Sequence, residues 1–207
     1  MSHPAMSIRL QAACSEVVWA ARLNALWIGF TLLGGVVLGI GPATVAAYTL
    51  ARRHARGETI HGWAEFWRVY RREFVRASLL VLPLAVAATV LAGNFLYFAN
   101  AGATGWQAAT LVALVALAAV GCYLGPLYAH YDLPLAAYLP KASLLALTRP
   151  ASSVLLLFVL AAVVFATAAA PLLALVLSAG AWIYLNTWLC LRFFEENEAR
   201  LDSKGNR

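Results

Sequence analysis

The chain alternates between long stretches with no charged residue and short blocks dense in charge. The uncharged stretches cover residues 23–51, 77–131 and 150–191, and together they hold more than half of the 207 residues. A helix needs about 20 apolar residues to cross the hydrocarbon core of a bilayer. The first stretch therefore suits one crossing, and the second and third suit two each. The polar turn Asn100-Ala101-Gly102-Ala103-Thr104-Gly105 divides the second stretch, and Ala170-Pro171 divides the third. The pattern predicts five membrane-spanning helices, over residues 24–50, 77–98, 107–128, 153–169 and 172–191. They form an all-α polytopic bundle, a single membrane domain over 1–207, with amphipathic interfacial helices beside it.

Within the first span, Gly39-Ile40-Gly41-Pro42 is a candidate break. Proline lacks the N–H that an inner turn needs, so Gly39, Gly41 and Pro42 are expected to kink or briefly unwind the helix. Residues 1–23 read as a retained amphipathic segment with Ile8, Ala12, Val18 and Trp19 on its apolar face. No apolar leader precedes Cys14, and Arg9 stands where one would lie.

The charged blocks set an orientation. The block over residues 51–76 holds Arg52, Arg53, Arg56, Arg68, Arg71, Arg72 and Arg76, whereas the turns near residues 100–105 and 170–171 hold no basic residue. By the positive-inside rule this block and the tail 192–207 are cytoplasmic. With five spans the N-terminus then falls outside, which leaves Arg9 and Arg22 on the less favoured side.

The basic block is also the most patterned segment. Trp63, Phe66, Trp67, Tyr70 and Phe74 recur at helical spacing within about 100° of arc, while Arg68, Arg72 and Arg76 face away. With Arg71, these residues read as an interfacial helix packed under the bundle, as a docking surface for a cytoplasmic partner, or as a lipid contact. Asp132 precedes Leu133-Pro134 and an apolar run, so it is expected to cap a short helix over residues 134–147, with Leu135, Tyr138, Leu139 and Ala142 turned inward.

Composition removes several function classes. At 63% hydrophobic and 12% charged, the chain could not clothe a soluble core in polar surface. The net charge of +6 sits in blocks beside apolar spans, which speaks for membrane orientation and against nucleic-acid binding. Cys14, Cys122 and Cys190 are scattered and form neither a disulfide framework nor a metal motif. The sequence holds no GxSxG, P-loop or HExxH, and the spans carry no carboxylate to couple an ion. No enzyme, cofactor or metal is expected.

Several short motifs, in order, resemble the YesL-like family of bacterial membrane proteins. They are Asn24-x-Leu26-Trp27, Gly41-Pro42-Ala43-Thr44-x-Ala46-x-Tyr48 and Phe66-Trp67-x-x-Tyr70-x-x-x-Phe74. Gly125-Pro126-Leu127-Tyr128-Ala129-His130-Tyr131-Asp132 and Leu191-Arg192-Phe193-Phe194-Glu195 follow. The chain departs from the family pattern at His130, where arginine is usual, and at Leu133-Pro134, where an Asn-Ser pair is usual. The resemblance implies a bacterial inner-membrane protein that works beside a carbohydrate ABC importer, touching its permease or ATPase subunits. A transport or pore-forming subunit in its own right is the alternative.

Overall fold

The computed structural model describes residues 3–205, apart from the side chains of residues 3–10, 12–13, 171–175 and 194–205. The described residues form seven helices and no strand: α1 (His3–Leu33), α2 (Ile40–Ala55), α3 (Gly62–Asn100), α4 (Thr104–His130), α5 (Leu135–Thr148), α6 (Pro150–Ala169) and α7 (Pro171–Gly205). Pro150 and Pro171 each stand first in their helix, where a missing N–H leaves no bond unmade and a fixed φ favours the first turn. Four described helical stretches are long and apolar enough to cross a membrane: Cys14–Leu33, Gly62–Asn100, Thr104–His130 and Pro150–Ala169. The protein is an all-helical membrane bundle. The expected crossing 172–191 falls in α7, which begins in residues outside the side-chain description.

The first span is not a kinked helix. The chain leaves α1 at residue 33 and turns through residues 34–39, with Gly35 at φ 74° and Val36 at φ 60°. It then runs back antiparallel as α2. Three pairings fix this direction: the indole N–H of Trp27 donates to Thr44 Oγ1 at 3.0 Å, His54 Nε2 lies 2.9 Å from Glu16 Oε2, and the Trp19 ring stacks on His54 at 4.0 Å. Gly39 and Thr31 meet at the tip, where a Cβ on Gly39 would overlap the Thr31 carbonyl.

The break falls at residues 34–39 and includes Gly39, whereas Gly41 and Pro42 lie inside α2 and break nothing. Gly39 ends the turn, and Pro42 lies in the first turn of α2, where proline is tolerated. Gly41 lets α2 approach α3, since a Cβ there would stand 2.9 Å from the Ala77 carbonyl oxygen. Ala43, Ala46, Ala47 and Ala51, also fully buried, lie on the other side of α2 and keep that side small as well, the means by which helices in membranes come close.

The hairpin also changes the expected topology. Glu16 and His54 touch, so this part of α1 lies beside the end of α2 that carries Arg52 and Arg53. Two contacting residues cannot lie on opposite sides of a layer about 30 Å thick. An N-terminal segment outside and an arginine block inside is incompatible with that contact. On the N-terminal apolar face, Trp19 is half-buried and Val18 is exposed, while Ile8 and Ala12 lie outside the described side chains.

The block 51–76 is not a separate interfacial loop. It comprises the end of α2, a short connection and the opening turns of α3, which continues unbroken for 39 residues. At 1.5 Å per residue α3 measures about 58 Å, roughly twice the hydrocarbon core, and its uncharged part 77–98 is long enough by itself to cross. α3 and α4 run antiparallel, with Phe98 against Trp106 at 6.1 Å and Tyr128 against Glu73 at the other end. α7 lies against α1, where Asn24 Oδ1 accepts the N–H groups of Ala179 and Gly180, each at 3.0 Å.

Candidate functional site

Three helices, α2 and α4 near their C-terminal ends and α3 within its length, line a polar pocket of about 420 Å³. α2 contributes Val45, Thr49 and Arg52, α3 contributes Arg72, Glu73 and Arg76, and the end of α4 contributes Tyr128 to Tyr131. Asp132 and Tyr138 complete the wall. On α3, Arg72, Glu73 and Arg76 come from adjacent and i+4 positions, so one helix face delivers both charge signs.

Tyr128 organises the pocket. Its hydroxyl donates to Glu73 Oε2 at 2.6 Å, and the Arg76 guanidinium lies over its ring, 5.7 Å from the centroid. Its ring also stacks on Tyr138, with centroids 4.8 Å apart. Arg72 Nε donates to Glu73 Oε1 at 2.8 Å. Burial by itself would raise the Glu73 carboxyl, but the hydrogen bonds from Tyr128 and Arg72 and the charges of Arg72 and Arg76 hold it below its ordinary value. Glu73 lies before the uncharged run of α3 and stays ionised at neutral pH.

Arg52 reaches across to donate to the Ala129 carbonyl, while its buried Nε has no hydrogen-bond partner. Desolvation, with the like charge of Arg56, lowers its pKa. The pocket thus gathers three arginines around two carboxylates. One of these, Asp132, is 94% exposed and stands 3.6 Å from Arg76. Such a site is suited to holding an anion. Among the described residues no group of three or more His, Cys, Asp or Glu side chains could hold a metal.

Asp132 does not cap the following helix. α5 begins at Leu135 after Pro134, with no side-chain capping bond. The connection is held instead by the Tyr138 hydroxyl, which accepts the Leu133 N–H at 3.0 Å and donates to the Tyr131 carbonyl at 2.8 Å. Proline at 134 fixes the entry to the helix, and Tyr138 ties down the connection before it in place of a cap. Tyr138 and Ala142 are buried as expected and Leu135 is half-buried, but Leu139 is exposed.

The aromatic stripe on α3 divides in two. Phe66 and Tyr70 are buried against Phe30, with ring centroids 4.7 and 5.2 Å away, and Phe74 is half-buried beside Tyr70. Trp63 and Trp67 also touch Phe30, with ring centroids 4.8 and 5.8 Å away, but stay 67% and 41% exposed, next to exposed Arg68, Arg71 and Arg72. The aromatics thus both pack the bundle and leave an open indole–guanidinium surface, which shares Arg72 with the polar pocket. Neither Arg52, Glu73 nor Tyr128 stood out from sequence as a site residue. Glu73 was the available signal, being an acid set among arginines one helical turn from the uncharged run.

Beside the polar pocket lies an apolar groove of about 360 Å³ between α3 and α4, floored by Tyr48 and Trp182. Val45 and Tyr128 line both. Gly125 lets the Tyr48 ring press against α4, since a Cβ there would overlap that ring. The Tyr48 hydroxyl accepts from Asn186 Nδ2 at 2.7 Å, and Asn186 also donates to the Cys122 carbonyl. The residues that carry the family resemblance are therefore largely those joining the helices: Asn24 to α7, Trp27 to Thr44, Tyr48 to Gly125, and Tyr128 to Glu73.

Residues 20–95 match a family described as "Protein of unknown function, DUF624". The chain is 35% identical over 147 residues to the uncharacterized protein YesV of Bacillus subtilis (strain 168), covering 68% of this chain and 70% of that one. It is 31% identical over 144 residues to the uncharacterized protein YesL of the same organism, covering 69% of each. A third relative there, the uncharacterized protein YteU, is 35% identical over 92 residues, 44% of this chain and 41% of that one. No solved structure matches the chain significantly. With more than two thirds of both YesV and YesL matched, the chain belongs to the DUF624 family, the YesL-like membrane proteins.

Proposed function

We propose that this protein is a non-enzymatic accessory component of a carbohydrate ABC importer in the bacterial inner membrane, docking a permease or ATPase subunit through the exposed face of Trp63, Trp67, Arg68 and Arg71. The observation that carries it is the split stripe on α3. Phe66 and Tyr70 anchor the helix in the core, so Trp63 and Trp67 are presented on a rigid element rather than on a loop. Exposed tryptophan beside arginine is the composition typical of binding hot spots. The positive-inside rule places this basic end in the cytoplasm, where an ATPase would be found. The carbohydrate importer as partner rests on the family resemblance.

A permease would be favoured by unwound backbone lining a cavity within the bundle. Gly39, Gly41 and Pro42 are instead buried in helix contacts, and no observation favours that alternative. Affinity purification in mild detergent, from native cells grown on plant polysaccharide, tests the docking. Permease or ATPase subunits should co-purify with the tagged protein. A combined Trp67→Ala and Arg68→Ala variant should reduce recovery about tenfold or more, as loss of a hot spot of roughly 2 kcal/mol implies. Recovery of no importer subunit, or equal recovery with the variant, would count against it.

A further inference from the structure

The polar pocket and the apolar groove are two parts of one cleft. Along α3 the cleft passes from Arg72, Glu73 and Arg76 to Leu80, Leu84 and Ala88, and along α4 it passes from Tyr128 through Gly125 and Gly121 to Leu114. Its character changes where the charges of α3 end, between Arg76 and Leu80. We propose that this cleft is a binding site for one anionic phospholipid of the leaflet at the basic end. The headgroup phosphate lies among Arg52, Arg72 and Arg76, and an acyl chain lies against α3 and α4.

Length supports this occupant. From Arg72 to Ala88 the helix rises about 24 Å at 1.5 Å per residue. Half a bilayer, headgroup included, is about 20–22 Å, of which about 15 Å is hydrocarbon. The apolar part from Leu80 to Ala88, about 12 Å, fits within that hydrocarbon depth. A soluble anion would fill only the polar part and leave the groove without a role.

Charge supports it as well. Glu73 is already engaged by Tyr128 and Arg72, and Asp132 projects into solvent, so neither balances Arg52. Among the described residues Arg52 has no carboxylate within hydrogen-bonding distance, and its buried Nε has no hydrogen-bond partner. A phosphate oxygen is the acceptor that this arrangement calls for, and a zwitterionic headgroup would bring its own cation into an already basic pocket.

Two substitutions separate the parts of the site. Arg72→Gln removes a headgroup charge at an exposed position that is hydrogen-bonded to its neighbour Glu73, so folding is not at stake. Gly121→Phe fills the groove without a clash at Cβ, because nothing lies within 4 Å of that position. The purified protein is incubated with equal amounts of phosphatidylglycerol and phosphatidylcholine bearing identical chains, and the retained lipid is read by native mass spectrometry. Phosphatidylglycerol should be retained on the order of tenfold over phosphatidylcholine. Arg72→Gln should lower that preference about fivefold, the factor given by about 1 kcal/mol per basic residue at an anionic surface. Gly121→Phe should lower retention of phosphatidylglycerol to the level of phosphatidylcholine. Equal retention of the two lipids by the unmodified protein would overturn the site. Displacement of phosphatidylglycerol by equimolar inorganic phosphate, with Gly121→Phe unchanged, would reassign the pocket to a soluble anion and overturn the lipid.

Discussion

Asn24 and Asn186 are both fully buried, and each ties helices that are distant in sequence. Asn24 accepts two backbone N–H groups of α7, and Asn186 joins α7 to α2 and α4 through Tyr48 and Cys122. Interhelical hydrogen bonds in a bilayer contribute about 0.6–2 kcal/mol, because the separated helices find other partners. Asn186→Leu should therefore lower stability by about 1–2 kcal/mol in thermal unfolding in mild detergent. Gly180→Val should be worse. A Cβ at Gly180 would overlap the Ala20 carbonyl and lie 2.8 Å from Asn24 Cβ, and backbone cannot yield as a flexible side chain can. A loss of more than about 3 kcal/mol, or no folded protein, is expected, as for other overpacked helix contacts. If Gly180→Val melted no lower than Asn186→Leu, the close α1–α7 approach would be wrong.

At the level of elements, the turn over residues 34–39 decides the fold. Val36 adopts φ 60° there, a left-handed conformation that a β-branched residue adopts at a cost of roughly 1–2 kcal/mol. Half exposed, Val36 contributes little packing in return. Val36→Gly should raise the melting temperature by a few degrees, the shift that about 1 kcal/mol gives in a chain this long. An unchanged or lower melting temperature would place the reversal elsewhere. The uncharged runs made the crossings in α3, α4 and α6 legible from sequence, since charge is what a bilayer excludes most strongly. They could not separate a kinked helix from a hairpin, because residues 23–51 are equally apolar in either. Gly34-Gly35 marked the true turn, yet Pro42 drew attention as the stronger helix breaker, and a proline in a first helical turn breaks nothing. The aromatic–arginine periodicity was legible as a helix, but sequence spacing did not reveal that it continues into the crossing helix. Nor could it show that Arg52 and Tyr128, 76 positions apart, share a pocket, because that depends on how α2 packs against α4.

At the scale of the whole molecule, one end of the bundle gathers the chemistry. Arg52, Arg72, Arg76 and Glu73 line its pocket, Trp63 and Trp67 face outward beside it, and Glu16 on α1 lies at the same end through His54. Both proposed roles, partner docking and lipid binding, require this end to lie on one side of the membrane. Cys14 reports on that directly, being exposed while Cys122 and Cys190 are buried. Labelling with a membrane-impermeant maleimide should be compared in intact cells and inverted membrane vesicles. Two introduced references serve, Glu58→Cys on the α2–α3 connection and Ala101→Cys on the α3–α4 turn. The hairpin predicts that Cys14 reacts together with Glu58→Cys in inverted vesicles, and that Ala101→Cys reacts in intact cells. Labelling of Cys14 from the outside, together with Ala101→Cys and opposite to Glu58→Cys, would contradict it.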